Sequence, residues 1–335
     1  MNIYDIAKLA NVSIATVSRV VNNSPKVSKK TKEKVLAIMN ENEYTPNAFA
    51  RGLGLGSMKT IGIICPDIAD IYMAKAISYL EKNLHEYGYD CILGCSGFGQ
   101  KEKESHVKLL LSKKIDTLVL IGSTYAGSGR DDSETAYIRE AAGQTPVFMI
   151  NAKVNGDNIY CTYADDFQAT YEVTKAFLRR GKEKILFMYD SESFSAKQKL
   201  SGYEAALQDA GYPIRGDLKF KTKNDIEYTK NMLLEYNKTL DFDSVIATED
   251  GIAIGAIKYA KIKALSIPED LAITGYNNSI LALSSEPELT SVDSKLEILC
   301  KKTVERMIGL LENGMQIEKN ICVPCEIIRR CTTDF

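Results

Sequence analysis

From Thr60 onward the chain alternates short β-rich runs with amphipathic helical stretches, and this alternation constrains the fold more than any other feature. The runs are IGIIC (61–65), YDCILG (89–94), TLVLIG (117–122), PVFMI (146–150), KILFMY (184–189), SVIAT (244–248) and LAITGY (271–276). Between them lie helical patterns at 74–88, 104–114, 169–181, 199–211 and 251–264. Strands that are apolar throughout, separated by amphipathic helices, predict parallel sheets covered on both faces. About five or six βα units in each half predict two similar lobes instead of one large sheet. Such sheets bind ligands beyond the carboxyl ends of their strands, so facing lobes would hold a ligand in the cleft between them.

The first 45 or so residues read differently, as three short helices without a strand. Asn2 precedes apolar positions at Ile3, Ile6, Ala7 and Ala10, with Asp5 in the first turn, and the helix is expected to stop near Asn11. Ser13 caps a second helix with Val17, Val20 and Val21 on its inner face. Asn22-Asn23-Ser24-Pro25 forms a turn, and Ser28 caps a third helix from Lys29 to about Asn42. The pair around Asn11-Val12-Ser13 has helix-turn-helix spacing, which would turn Ile14, Ala15, Thr16 and Arg19 outward. A helix fits the major groove, where an Arg can grip guanine and small apolar groups can touch thymine methyls. Any small helical subdomain shows the same periodicity, so spacing alone fits both readings.

Charge separates the two parts. The whole chain carries −2, but the first 60 residues hold nine Lys/Arg against four Asp/Glu, and the rest hold 33 against 40. A basic head on an acidic body suits nucleic acid, with Lys26, Lys29, Lys30, Lys32 and Lys34 positioned for phosphates. A composition of 45% hydrophobic and 26% charged residues excludes disorder as the main state. No apolar run approaches the ~20 residues of a membrane span, and MNIYDIAKLA lacks secretory-signal character, so a cytoplasmic protein is expected. The eight Cys (65, 91, 95, 161, 300, 322, 325 and 331) are then expected to be free thiols.

The run IYDIAKLANVSIATVSRVVNNSPKVSKKTKEKV, then YTPNAFARGL and TIGIICPDI, resembles the lactose/galactose repressor (LacI/GalR) family of bacterial transcription regulators. The likeness continues through VFMIN (147–151), RRGKEKILFM (179–188), KLSGY (199–203), ATEDGIAIGA (247–256), IPEDLAITGYNN (267–278), PELTSV (287–292) and PCEIIRR (324–330). The resemblance implies a multi-domain chain: an all-α helix-turn-helix head over 1–46, a hinge over 47–59, and an α/β two-lobed core over 60–335. That core would resemble type I periplasmic binding proteins, with parallel sheets. One lobe would take about 60–160 and 293–322, the other about 161–292 and 323–335. By position, Ile14, Ala15 and Arg19 match operator-reading residues, Thr16 and Asn22 match backbone or base contacts, and Asn47 matches a hinge phosphate contact. Leu53 matches the leucine that family members wedge into the minor groove, unstacking a base step so that bent DNA meets more protein.

For the effector the resemblance places Tyr72, Ser123, Asn151, Asp165, Lys199, Glu249 and Asn277 along the cleft. Tyr72 fits either a stacking platform for a sugar face or a surface aromatic near a dimer seam. Lys199 stands where the family usually has Arg, and an ammonium lacks the planar fork that grips paired hydroxyls. Asn277 replaces a usual Asp, and Glu249 a usual Asn. These departures set the site apart from a standard neutral-sugar pocket. Catabolite control regulators of Gram-positive bacteria have a similar head and also carry Lys here, and they answer mainly to a phosphoprotein, so a protein co-regulator stays open.

Other signals carry less. Cys322-Val-Pro-Cys325 has redox-motif spacing but reads as a strand-to-tail crossover without the helix that activates a thiol. Two His and no second Cys-x-x-Cys argue against zinc or any other metal. His85 and His106 read as ordinary helical residues. GSTYAGSG (122–129) lacks a phosphate-loop Lys and reads as a strand-end loop. Asp165-Asp166 reads as a helix start. No nucleophile–base–orienter set assembles, so neither enzyme activity nor a cofactor is expected.

The expected protein is a homodimeric regulator, a repressor by default, that binds a pseudo-palindromic double-stranded operator under control of a sugar-type effector. No membrane partner is expected. Dimerisation is expected on the first lobe, including the 74–88 helix, without a heptad tail for tetramers. The rival from another class is a solute-binding sensor with no DNA function, which the core alone would fit and the head argues against. Gly52, Gly54 and Gly56 each cost a helix about 1 kcal/mol relative to Ala, so the hinge is expected to take helical form only on DNA. Hydrogen exchange checks this: amides over 47–56 should exchange freely without DNA and slow on the operator, and protection in the free protein would contradict it.

Overall fold

Each head helix starts on the polar cap that its sequence supplies. The Asn2 side chain accepts from the amides of Tyr4 (2.9 Å) and Asp5 (3.2 Å), and Asp5 accepts from the Asn2 amide in return. This closes a capping box on helix Ile3–Ala10, which ends at Asn11 in the left-handed conformation. Ser13 Oγ accepts from the Thr16 amide (3.1 Å) at the start of helix Ile14–Val21, and Ser28 Oγ does the same for Thr31 (3.2 Å) ahead of helix Lys29–Glu41. Ile6, Ala7, Ala10, Val17, Val20, Val35 and Met39 close a small core between the three helices. The computed structural model describes residues 1–21, 24–44, 57–129, 131–236 and 241–335. The expected contacts Asn22, Asn47 and Leu53, and the glycines at 52–56, lie outside the described residues.

The body is two six-stranded sheets. The first holds β1 (Thr60–Cys65), β2 (Asp90–Cys95), β3 (Thr117–Ile121), β4 (Val147–Ile150), β5 (Ile159–Ala164) and β11 (Asn320–Val323) in the order β2-β1-β3-β4-β5-β11, with every pair parallel. The second holds β6 (Ile185–Tyr189), β7 (Lys219–Lys221), β8 (Ser244–Ala247), β9 (Ala272–Tyr276), β10 (Thr290–Asp293) and β12 (Glu326–Ile328) in the order β7-β6-β8-β9-β10-β12. Only β12 runs antiparallel there. Helices Ile71–Glu86 and Leu296–Asn313 cover one face of the first sheet, and helices Gln100–Leu111 and Ala136–Ala142 cover the other. The second sheet is enclosed in the same way by helices Ile226–Tyr236 and Asp250–Ile262 on one side and Asp166–Arg179 and Phe194–Asp209 on the other. The two-lobed parallel architecture expected from the alternation is therefore what the chain forms.

Several strands escape the apolar pattern. β5 (IYCTYA) mixes Tyr, Cys and Thr, β7 and β12 have three residues each, and β10 reads TSVD. Their registry comes from neighbouring strands instead of from their own composition. The three crossings between lobes follow β5, β10 and β11, after Ala164, after Asp293 and after Val323. Each crossing lies a residue or a few beyond the approximate limits drawn from sequence, because the hydrogen-bond ladders run on that far. At one crossing the Asp165 amide donates to the Val323 carbonyl (2.8 Å). Within the first lobe, buried Arg306 of helix Leu296–Asn313 ties that helix to β5, donating to Cys161 O (3.1 Å) and Thr162 Oγ1 (3.0 Å).

Helices Asp166–Arg179 and Phe194–Asp209 meet at Gly202, where a Cβ would stand 2.2 Å from Phe167 O and 3.0 Å from Tyr171 N. Both obstacles are backbone and cannot step aside. Gly202→Ala should therefore destabilise the core by roughly 1–3 kcal/mol, the usual cost of overpacking. Thermal unfolding measures this, and an unchanged melting temperature would show that the helix pair is looser than described.

Candidate functional site

The carboxyl ends of the two sheets face each other across the gap between the lobes. From the first lobe come Gly122 and Ser123 after β3, Asn151 after β4, and Asp70 and Tyr72 at the start of helix Ile71–Glu86. From the second come Asp190 after β6, Thr248 and Glu249 after β8, and Asn277 after β9. In both sheets the order reverses beside the first strand, β1 or β6, which opens a crevice at the strand ends. An inner cavity of about 120 Å³ adjoins an outer one of about 430 Å³, and the two share Asp70, Tyr72, Asn224, Glu249 and Asn277 as walls. The turns are tight here: Asn151 (φ 58°), Asn277 (φ 85°) and Asn278 (φ 44°) all adopt the left-handed conformation that Asn tolerates better than most residues.

Of the residues expected at an effector site, Tyr72, Ser123, Asn151, Lys199, Glu249 and Asn277 line the inner cavity. Asp165 does not. It caps helix Asp166–Arg179, accepting from the Gln168 amide (3.1 Å) at the inter-lobe crossing, which is the helix-start role that its sequence also suggested. Lys199 is 4% exposed and heavily committed. Its ammonium donates to the Thr248 carbonyl (3.0 Å) and sits 3.6 Å from the Tyr276 ring centre. Buried Asp166, on which the Lys199 charge acts, accepts from Ser195 Oγ (2.5 Å) and the Tyr276 hydroxyl (2.7 Å). Glu249 Oε2 accepts from Asn277 Nδ2 (2.7 Å), so the two departures from the family pattern are partners of each other.

Four side-chain atoms at this cavity are buried and have no partner among the described residues: the Tyr72 hydroxyl, Thr124 Oγ1, Asn151 Oδ1 and Thr248 Oγ1. Each such group costs about 1–3 kcal/mol if it stays unpaired. Four of them belong to residues lining one cavity, a cost that a polar molecule bound there would relieve. Burial, opposed by Lys199 and reinforced by Asp190, Asp70 and Asp250, pushes the Glu249 carboxyl well above the ordinary range. Burial also raises Asp70, although the Met73 and Tyr72 amides counter it. Sequence reasoning missed Asp70, Asp190, Thr124 and Thr248. Asp190 and Thr248 directly follow recognisable strands, so the strand-end rule alone could have found them.

In the head, Ile14, Ala15 and Arg19 are exposed and Thr16 half-buried, while Val17 and Val20 of the same helix are buried. Elsewhere, burial pushes the Cys325 thiol up to about 12, so the Cys322/Cys325 pair lacks an activated thiol. No set of metal-ligating side chains is grouped among the described residues, and no helix among them is long and apolar enough to cross a membrane.

An exposed-face helix-turn-helix joined to a two-lobed core with a polar inter-lobe cavity defines a ligand-responsive DNA-binding regulator. Comparison with known proteins supports that class. Residues 2–47 match the model for bacterial regulatory proteins of the lacI family, and residues 58–331 match periplasmic binding proteins and the sugar-binding domain of the LacI family. The chain belongs to the LacI family of DNA-binding transcriptional regulators, which are not enzymes. It is 45% identical to an HTH-type transcriptional regulator of Lachnoclostridium phytofermentans over the full length of both chains. It is 31% identical to the regulator DegA of Bacillus subtilis, over 99% of this chain and 97% of that one. It is 32% identical to catabolite control protein A of Priestia megaterium, over 87% of each. The lac repressor dimer bound to operator and an anti-inducer shares the fold, with a TM-score of 0.88 at 22% identity over 99% of this chain and 98% of that chain.

The raised Glu249 carboxyl has a stability consequence. A carboxyl whose folded pKa lies above its unfolded value stabilises the fold while protonated, and that contribution is lost as pH rises above the unfolded range near 4.5. At pH 7.5 Glu249→Gln keeps an acceptor for Asn277 and removes a poorly solvated charge. Its melting temperature should exceed wild type by about 2–4 °C, the shift that ~1 kcal/mol gives in domains of 150–250 residues. The gap should close as pH falls toward the ordinary glutamate range. A lower melting temperature at pH 7.5, or a gap that ignores pH, would contradict the assignment.

Proposed function

We propose that this regulator is a cytoplasmic repressor that binds a pseudo-palindromic operator as a homodimer and is controlled by a small polyhydroxyl effector of the sugar class. The observation that carries the effector reading is the group of unpartnered buried atoms at the inter-lobe cavity: Tyr72 hydroxyl, Thr124 Oγ1, Asn151 Oδ1 and Thr248 Oγ1. A polyol offers several donors and acceptors at the spacing of neighbouring hydroxyls, which suits four such groups spread over both lobes. It also favours a small molecule over a protein co-regulator acting alone. Ser123, Glu249 and Asn277 complete the contact set, with Lys199 shaping its floor. We retain Asp165 as a determinant of lobe orientation instead of as a ligand contact.

On the DNA side, Ile14, Ala15 and Arg19 read base edges and Thr16 steadies the helix through its 2.9 Å contact with Ser13 Oγ. Asn22, Asn47 and Leu53 are the further contacts that the family pattern assigns. Lys26, Lys29, Lys30, Lys32 and Lys34 face phosphates. The first-lobe helix Ile71–Glu86 contributes to the dimer. Effector bound across the cleft favours one lobe arrangement, which sets the approach of the two heads and hence operator affinity.

An operator selected from random duplex DNA provides the test. Wild type should prefer it to scrambled duplex and lose affinity steeply as salt rises. Arg19→Ala should weaken the selected site by about 1–3 kcal/mol, the value of one bidentate base contact, and leave scrambled duplex little affected. Selection that recovers no palindromic site, or an Arg19→Ala variant that binds it as wild type does, would remove the reading.

A further inference from the structure

We propose that the effector is a cation, an amine-bearing polyol whose ammonium sits among Asp70, Asp190 and Glu249. This deepens the effector reading above and rests on it. The three carboxylates line the inner cavity together, one from the first lobe and two from the second. They are close enough to act on one another: Asp190 and Asp70 both raise the Glu249 carboxyl, and Asp190 raises Asp70.

The cavity's own cation answers them only in part: Lys199 acts on Glu249, but its hydrogen bond goes elsewhere. Lys199 is the one basic residue among the described residues lining the inner cavity. Its ammonium is directed at the Thr248 carbonyl and the Tyr276 ring, and its charge acts on buried Asp166 as well as on Glu249. Glu249 accepts from Asn277 Nδ2 (2.7 Å), and Asp70 accepts from the Met73 amide (2.9 Å) with the Tyr72 amide beside it, so no side-chain cation is paired with either at contact distance among the described residues. Three carboxyl groups against the single Lys199 ammonium, which Asp166 and Glu249 share, give the inner cavity an acidic lining.

An independent observation points to a ligand at the same cavity. Thr248 and Asn151, 2% and 8% exposed, each keep an unpartnered oxygen at this cavity, and the Tyr72 hydroxyl joins them. Hydroxyl groups of a polyol satisfy these oxygens, and an ammonium satisfies the carboxylates with three donors and a charge. A phosphate or carboxylate ligand would meet like charge on both lobes. A metal ion is disfavoured too, since the carboxylates do not converge to ligating distance among the described residues. Because Asp70 belongs to one lobe and Asp190 and Glu249 to the other, the ammonium acts as the charge that draws the lobes together.

The test uses the full-length protein in thermal-shift and calorimetric titrations at low salt. The probes are amino hexoses and amino disaccharides, their neutral parents, their N-acetyl derivatives, hexose 6-phosphates, and the sugar-free amines putrescine and spermidine. We expect an amino sugar to bind at least tenfold more tightly than its neutral parent. N-acetylation should remove that advantage, as should Asp190→Asn or Glu249→Gln, while added salt should shrink it. A neutral parent or a phosphate ester that binds as tightly as the amine overturns the cation and leaves the sugar-class effector standing. Binding by putrescine or spermidine alone keeps the cation and removes the sugar. Silence from every probe overturns both.

Discussion

Parallel strand pairing is the constraint on which the rest of this molecule depends. Parallel strands return mostly through covering helices, so within each sheet every strand except the antiparallel β12 points its carboxyl end the same way, and the covering helices start mostly at that edge. The two edges then face each other across the gap. Loops, helix amino termini and the left-handed Asn residues all collect there, and so do the side chains that can meet a ligand. The three crossings hold the edges opposed while leaving the gap between them polar. Asp165 and Val323 share a backbone hydrogen bond at the crossing after β5, and Arg306 ties β5 to helix Leu296–Asn313 just before it. A ligand that touches both edges therefore acts on the angle between the lobes.

Charge is arranged in the same two-part manner. The near-neutral chain combines a basic head with an acidic body. Part of that acidity lies in the cleft, where Asp70, Asp190 and Glu249 surround groups that have no internal partner. Such a cavity is unfavourable when empty, as buried polar groups without partners generally are. Binding sites commonly keep local costs of this kind where the ligand relieves them. The Lys199–Asp166–Tyr276–Ser195 cluster beside it is of the opposite type. Its hydrogen bonds are made, so it supports the site as a rigid floor.

Much of this was legible in the residues. The Asn2 and Ser28 caps, the left-handed stop at Asn11 and the inward Val17 and Val20 all follow from local rules that no tertiary contact overrides here. The long apolar strands announced the parallel lobes. The short strands β7, β10 and β12 did not, because their partners, not their own side chains, impose the extended backbone. In the cleft, position within the family pattern brought Tyr72, Ser123, Asn151, Lys199, Glu249 and Asn277 to one cavity. It could not tell that Lys199 is taken up by Asp166 and the Tyr276 ring, since Asp166 and Tyr276 lie 33 and 77 residues away in the chain. Nor could it separate Asp165, which caps a helix, from the carboxylates that line the cavity. That distinction depends on side-chain direction at a crossing, which sequence spacing does not encode.

The central claim is that the cleft and the DNA-reading head share one equilibrium. Thermodynamic linkage tests it most directly. Operator affinity is measured with and without the ligand found to stabilise the protein, and ligand affinity is measured with and without saturating operator. The account predicts that both ratios differ from one and equal each other. A ratio of one in both measurements would mean that the cleft binds its ligand without reference to DNA, and the account would be wrong.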